Sequence, residues 1–342
     1  MKRMVPFLIF ITVTGAQTTV NPDFSAIGDL QLRREGNRYE LESSGLELAL
    51  QGYVNPFARA DVFLHKHNDS SPIDLEEAVL SIERGLPLGL GARAGKLRPD
   101  LGKINRQHEH TFYFIELPEA MAKILGPEQW AATGLELNLL LPLPWYSRFS
   151  VGYFQEALGS AADDHVHHQE ETLGEPPAKA FSGRWSHFLD FNPVTHLEAG
   201  FSFYRDRAVD FRQMVVGDVK FKWKPNKYRS FIFQAEWFHT NLPHHHVHIQ
   251  SHPEEQVQAG YTFVNYQCNR AWNVGFVVDY YSSNLEGTDP SAPALFFGFS
   301  PVEESSVWRL KIGPVDSRKP SGQWSVQSQI IWALGPHKPH QF

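Results

Sequence analysis

The sequence predicts an all-β protein: a transmembrane, antiparallel, up-and-down β-barrel of about 16 strands with a long third loop folded into the lumen. Three observations carry this expectation. Apolar and polar residues alternate with a period of two along most of the chain, short connections alternate with long ones, and no apolar run reaches the roughly 20 residues that a membrane-spanning helix needs. Of the 342 residues, 42% are apolar, 13% aromatic and 20% charged, a balance that excludes a disordered or collagen-like chain.

The first residues read as a secretory signal peptide over 1–16. Lys2 and Arg3 form the basic start, Met4 to Val13 the apolar stretch, and Thr14, Gly15 and Ala16 a small-residue cleavage site. Removing it takes the net charge from −7 to −9, and an acidic exported chain argues against nucleic-acid partners. Cys268 is the single cysteine, so no internal disulfide framework is expected. The remaining 17–342 form one barrel domain, with 98–132 as its predicted constriction loop.

The strand pattern is clearest after Gly217, where Val219, Phe221 and Trp223 share one face and Asp218, Lys220, Lys222 and Lys224 the other. The same alternation predicts membrane-facing sets at Leu46, Leu48, Leu50; Ala60, Val62, Leu64; Ala78, Leu80, Ile82; and Leu135, Leu137, Leu139, Leu141. It continues at Leu197, Ala199, Phe201, Phe203; Phe231, Phe233, Ala235, Trp237; Val257, Ala259, Tyr261, Phe263; and Trp272, Val274, Phe276, Val278, Tyr280. The last sets are Trp308, Leu310, Ile312 and Trp324, Val326, Ile330, Trp332, Leu334. A soluble sandwich also alternates, so spacing has to separate the two folds.

Short connections fall at Asn55 to Phe57, Gly85 to Gly89, Pro142 to Trp145, Asn192 to Val194, Pro225 to Tyr228, Gln267 to Arg270 and Pro301 to Ser305. Between them lie mostly longer ones: His65 to Asp74, Arg98 to Ala132, Ala157 to Lys179, Asn241 to Glu254 and Ser282 to Ala294. Outer-membrane barrels have short periplasmic turns and long outer loops in this order, whereas a sandwich has no reason to keep it. Phe57, Trp145, Tyr146, Trp223, Tyr228, Trp237, Tyr280 and Tyr281 are the expected interfacial aromatics.

The opposite faces would line a lumen. They carry Arg59, Arg93, Arg148, Arg184, Lys220, Lys222, Arg309 and Lys311 against Asp61, Glu77, Glu83, Glu136, Glu198, Asp218, Glu236 and Asp279. Unpaired, that many charges would be prohibitive in a packed core, but a hydrated channel keeps them solvated. Equal numbers of each sign predict no strong selectivity from the wall itself. The long third outer loop differs: Lys96, Arg98, Lys103, Arg106, His108 and His110 fall within fifteen residues, with Asn105 among them, against Asp100 and Glu109. Folded inward, this segment would form a cationic constriction favouring anions. It also contains a short helix signal, with Pro118 in the first turn, Glu119 and Lys123 four apart and Gly126 as the stop.

The stretches Gly52-Tyr53-Val54-Asn55-Pro56-Phe57-Ala58-Arg59-Ala60-Asp61, Arg93-Ala94-Gly95-Lys96 and Gly102 to His110 resemble porin-like outer-membrane proteins allied to the phosphate-selective porins. Leu334-Gly335-Pro336-His337 to Phe342 is similar to the same group, and the resemblance covers nearly all of the mature chain. Some members of the group carry the label of zinc-regulated or TonB-dependent receptors. The latter need 22 strands and a plug domain, which this length does not supply. The resemblance implies anion passage and marks Lys103, Asn105, Arg106, His108 and His110 as the signature of the inserted loop. It also implies that Phe342 is the terminal aromatic read by the barrel-assembly machinery, although Pro336 and Pro339 interrupt the last segment.

Seventeen histidines concentrate in the predicted outer loops. One loop holds His244, His245, His246, His248 and His252, another His165, His167 and His168 beside Asp163, Asp164, Glu170 and Glu171, and His65 and His67 form a weaker pair. Imidazoles two apart in an extended chain face the same way and can take Zn2+ or another transition metal. No resident cofactor is otherwise expected.

No nucleophile elbow, metalloprotease motif or phosphate-binding glycine loop occurs, so no enzyme activity is expected. Three functions follow: a passive channel for small hydrophilic solutes, with a modest anion preference from the inserted loop; a metal-binding or metal-uptake protein using the histidine loops; or a soluble secreted β-rich binding module. The expected partners of the first are outer-membrane lipids, the assembly machinery, a small solute or ion, and further copies of the chain.

Overall fold

The computed structural model describes residues 21–43, 45–67, 72–159, 178–207, 212–242, 255–285, 287–289, 293–302, 305–314 and 324–335. The predicted signal peptide and Phe342 lie outside them. In chain order the strands are β1 (Asp23–Glu35), β2 (Arg38–Glu42), β3 (Leu46–Asn55), β4 (Ala58–Lys66), β5 (Asp74–Ile82), β6 (Leu90–Leu97), β7 (Ala132–Leu140), β8 (Tyr146–Phe154) and β9 (Ala180–Asn192). They continue as β10 (Thr195–Asp206), β11 (Gln213–Asn226), β12 (Arg229–Leu242), β13 (Glu255–Gln267), β14 (Trp272–Ser283), β15 (Gly287–Asp289), β16 (Ala294–Val302), β17 (Ser306–Pro314) and β18 (Trp324–Leu334). A helix, α1 (Glu119–Leu125), sits between β6 and β7.

Each strand pairs antiparallel with its neighbours, and β1 pairs with β18, opposing Ala26 to Leu334 and Glu35 to Ser325, so the sheet closes. β2 and β3 pair in succession with β1, and β15 and β16 in succession with β14. Each couple is one interrupted staircase of the wall, which gives a 16-stranded barrel, as the sequence predicts.

Local chemistry fixes the short turns. In four of the seven, an asparagine side chain holds the reversal: the Oδ1 atoms of Asn55 and Asn226 each accept two backbone N–H groups, at 2.9 Å and 3.0 Å respectively. Asn192 accepts Val194 N–H at 3.0 Å, and Asn269 accepts those of Ala271 and Trp272 at 2.9 and 3.1 Å. This is the Asx turn that makes asparagine a turn residue, and it pins the register of four hairpins.

Outward positions carry exposed apolar side chains around the whole circumference, among them Leu30, Leu80, Leu137, Val151, Trp185, Phe203, Trp237, Phe276, Leu295 and Ile330, each 40–55% exposed. Such a continuous belt would aggregate in water and is what a hydrocarbon layer requires. It leaves no place for the soluble binding module. Two sequence expectations fail in detail. Val257, Ala259, Tyr261 and Phe263 of β13 are 0–4% exposed and oppose the lumen residues of β12, with Tyr261 facing Glu236, so this set points inward. Tyr281 is likewise buried inside, and Tyr146, two positions before Arg148, falls on the lumen register, so neither belongs to the outer aromatic belt. The inward apolar residues pack against the inserted loop, and a purely hydrophobic alternation cannot tell lipid from a buried loop.

Candidate functional site

The lumen is occupied by the segment joining β6 to β7. Its apolar residues form a core of their own inside the barrel: Leu97, Leu101, Ile104 and Met121 are fully buried, Ile124, Leu125, Phe112, Phe114 and Trp130 nearly so. They pack on Tyr204, Met214, Val216, Phe238, Phe263 and Phe296 of the far wall. The rings of Trp130 and Tyr204 meet edge to face at 5.0 Å, as do those of Trp130 and Phe154. Burial of this kind, a few kcal/mol for each large side chain, opposes the entropy of ordering so long a segment.

Polar contacts tie the same loop to strands all round the barrel. Wall carboxylates receive its backbone: Glu77 on β5 accepts Arg98 N–H at 3.2 Å, Glu136 on β7 accepts Asp100 N–H at 2.9 Å, and Glu236 on β12 accepts those of Lys103 and Ile104, each at 2.8 Å. Gly102, at φ +62°, donates to Ser202 Oγ on β10 at 3.1 Å; a Cβ there would lie 2.4 Å from Glu236 Oε2, so only glycine lets the chain approach this closely. Asp279 on β14 accepts Ala120 N–H at the start of α1 at 2.9 Å, and Arg309 on β17 donates to His110 O at 2.7 Å. Glu116 accepts from Lys311 at 2.8 Å, Gln327 at 3.0 Å and Arg33 at 2.9 Å. Burial alone would raise the Glu116 carboxyl, but Lys311, Gln327 and Arg33 together hold the group below its usual range.

The two ends of the loop are joined by Asn105. Its Nδ2 donates to Pro99 O at 3.0 Å and Trp130 O at 3.1 Å, while its Oδ1 accepts Trp130 N–H at 2.8 Å. Asn105 is wholly buried and closes the loop into a compact unit.

These contacts revise the predicted constriction. Lys96 opposes Ala78 on the outward face of β6 and reaches Leu75 O, away from the lumen. Arg98 is buried and bound to Glu76, Gln129 and the carbonyl of Gln107; Lys103 pairs with Glu198 on β10; Asn105 is structural. His108 lies among Glu47, Glu76 and Glu77, and His110 lies 3.3 Å from Glu47. Desolvation would depress the His108 imidazole, but those three carboxylates raise it well above its usual value. Arg106 stays half-open, its side chain 34% exposed. Lys123 of α1 pairs with Asp289 instead of with Glu119.

The predicted lumen residues Arg59, Asp61, Arg93, Arg148, Lys220, Lys222, Arg309 and Lys311 all fall on the inward register. Arg59 and Asp61 pair with each other at 2.7 Å. Arg93 binds Glu136 at 3.0 Å, and Arg148 reaches Asp100 at 2.7 Å. Asp100 is also 3.5 Å from Arg184, which forks onto Asp218 at 2.6 and 2.8 Å. Burial would push the Asp100 carboxyl up, yet Arg148, Arg106 and Arg184 hold it far below the usual carboxylate range. Arg93 beside Arg106 lowers the latter's guanidinium, which marks a locally positive patch.

Sequence reasoning missed Glu47, Glu76 and Asp100 as working residues. The extra residue of β5 explains one of them: Phe63 opposes Glu77 while the next residue, Leu64, opposes Leu75, and the resulting bulge turns both Glu76 and Glu77 toward the loop. Strict alternation assigns consecutive residues to opposite faces, so no period-two reading finds this pair. The expected metal ligands His165, His167, His168, His244, His245, His246, His248 and His252 lie outside the described residues.

The closed antiparallel wall, its apolar outer belt and an inward-folded third outer loop define a porin-type β-barrel of the bacterial outer membrane. No protein-family model matches the chain, so the likeness to phosphate-selective porins rests on the quoted residues alone. The chain is 24% identical over 329 residues to an uncharacterised protein of Aquifex aeolicus (strain VF5), covering 86% of this chain and 69% of that one. Among solved structures it is similar to OprB of Pseudomonas putida, with a TM-score of 0.60 at 9% identity over 92% of this chain and 94% of that one. An anion-selective porin from Comamonas acidovorans gives 0.58 at 11% identity (91% and 98% covered), and the outer-membrane channel DcaP of Acinetobacter baumannii 0.55 at 12% (92% and 96%). At such identities the likeness is one of fold.

Proposed function

We propose that the protein is a passive outer-membrane channel for small hydrophilic, anionic solutes. One observation carries the reading: the acids of the lumen are engaged by the loop and by arginines, and basic residues gather on one side of the wall, Arg93 and Arg148 among them in ion pairs with Glu136 and Asp100. Glu77, Glu136 and Glu236 accept loop amides, Glu198 holds Lys103, and Asp218 holds Arg184. Arg93 on β6, Arg148 on β8 and Lys220 and Lys222 on β11 lie toward the short-turn ends of their strands, with the half-open Arg106 above them. Equal numbers of charges therefore do not give an even field. A low-dielectric wall focuses the potential of such a strip and lowers the barrier for negative solutes. The Comamonas acidovorans barrel of similar fold is an anion-selective porin, which agrees with this sign.

The test is electrical. Purified protein in planar bilayers should give discrete conductance steps, and replacing Lys220 and Lys222 by Glu should shift the zero-current potential toward cations. Absence of steps from folded protein, or an unchanged potential in the double variant, would dismiss the proposal.

A further inference from the structure

We propose that Glu47, His108 and His110, with Glu76 beside His108, form a transition-metal site of the Zn2+ class that staples the inserted loop to β3. One ligand atom from each of the first three residues lies within 4.8 Å of the other two. The separations suit a shared ion better than direct contacts. His108 Nδ1 is 3.4 Å from Glu47 Oε2 and 3.6 Å from Glu76 Oε2, and His110 Nδ1 is 3.3 Å from Glu47 Oε2. Donors about 2.1 Å from a tetrahedral zinc stand roughly 3.4 Å apart. Those gaps are long for hydrogen bonds, and the buried atoms Glu47 Oε1, Glu76 Oε2 and His108 Nδ1 have no hydrogen-bond partner among the described residues.

The surroundings supply what a metal-bound imidazole needs. With Nδ1 turned to the ion, His108 Nε2 donates to Glu77 Oε1 at 3.1 Å, and Glu77 is itself fixed by Arg98 N–H. This is the carboxylate–histidine–metal relay that orients ligating imidazoles and sharpens their basicity. Charge agrees as well. With His108 neutral, Glu47, Glu76 and Glu77 against the one guanidinium of Arg98 leave two negative charges, and a divalent cation neutralises them in place of the proton that those carboxylates otherwise hold on His108. The ring of Phe63, with its centroid 4.5 Å from that of His108, covers one side of the cluster.

The site uses none of the histidines at 165–168 or 244–252. Its ligands come from the wall and from the loop, so a bound ion would lock one to the other. The test uses the full mature barrel, stripped with chelator and titrated with Zn2+ alone. Four proteins are compared: wild type, two lumen variants and a variant with His244, His246 and His248 changed to Ala, the first lumen variant being Glu47→Gln. His110→Ala is the second lumen variant, and heat-modifiable migration confirms that each barrel is folded. One equivalent should bind to wild type and to the outer-segment variant alike, with at least tenfold weaker binding in Glu47→Gln and His110→Ala. Cobalt(II) in the wild-type site should show the intense visible bands of a tetrahedral N/O environment, lost in both lumen variants. Equal zinc affinity in the lumen variants, or loss of the tight site with the outer histidines, would overturn the proposal. Bilayer currents of the stripped protein test the channel reading separately.

Discussion

Glu236 on β12 binds the backbone amides of Lys103 and Ile104, both at 2.8 Å, across more than 130 positions of sequence. One oxygen of the same carboxylate also accepts the Tyr261 hydroxyl at 2.5 Å. A wall acid that looks like a pore-lining charge is thus a clasp for the loop. Replacing Glu236 by Leu would leave two buried N–H groups unsatisfied, at about 1–3 kcal/mol each. The expected outcome is a loosened loop in an intact barrel. Trypsin should cut at Lys103 or Arg106 in the variant while sparing wild type, and equal resistance in both would show that the clasp is dispensable.

Asp100 makes a prediction about acid. Its carboxyl is held below the unfolded value of about 3.9, so its contribution is fully present above that pH and is lost only as the pH falls further toward the folded value. Loop protection from an acid-tolerant protease should then be flat from pH 8 to 5 as far as Asp100 is concerned. Asp100→Asn should release the loop even at pH 7, because Arg148 and Arg106 then lose the Asp100 carboxylate, while Arg184 keeps Asp218. Removing one member of a buried pair typically costs about 3–5 kcal/mol. A variant as protected as wild type at pH 7 would count against the cluster as an anchor.

The apolar side of the loop can be tested independently of charge. Met121 of α1 is fully buried, and its truncation to Ala should cost about 2–5 kcal/mol through the cavity it leaves. The looser loop should raise single-channel conductance or its noise without moving the zero-current potential, since no charge has changed. A shift in ion preference in Met121→Ala would mean that selectivity depends on loop position more than on wall cations.

Much of this architecture is written in the chain as alternation and turn chemistry. The strands, the order of short and long connections, the inward register of Arg93, Lys220 and Arg309 and the single helix ending at Gly126 can all be read from residue order, because period, Asx turns and stop signals are local. What could not be read is non-local. Val257, Ala259, Tyr261 and Phe263 obey the alternation rule but serve a core made by a segment some 140 positions away, so their apolar character is the same while their face is opposite. Arg98 and Lys103 look like pore cations until Glu76 and Glu198 are found beside them. Glu76 itself depends on a bulge that no periodicity announces.

Deleting Gly102 to Gln129 separates the loop from the wall. The deletion should raise conductance, since the segment fills the lumen, and should also uncover Glu198 and Glu236. Its ion preference should therefore move toward cations, beyond the loss of Lys103 and Arg106 alone. Unchanged conductance in a correctly folded deletion would mean that the loop does not limit the pore.

The most direct measurement is the zero-current potential of the wild-type protein in a planar bilayer between two concentrations of potassium chloride. With the lumen acids engaged by the loop and by arginines, and Lys220 and Lys222 adding positive charge on β11, its sign should report chloride as the more permeant ion, more strongly at low salt where screening is weaker. A potential of the opposite sign, or no current from folded protein at any voltage, would contradict an anion-preferring channel.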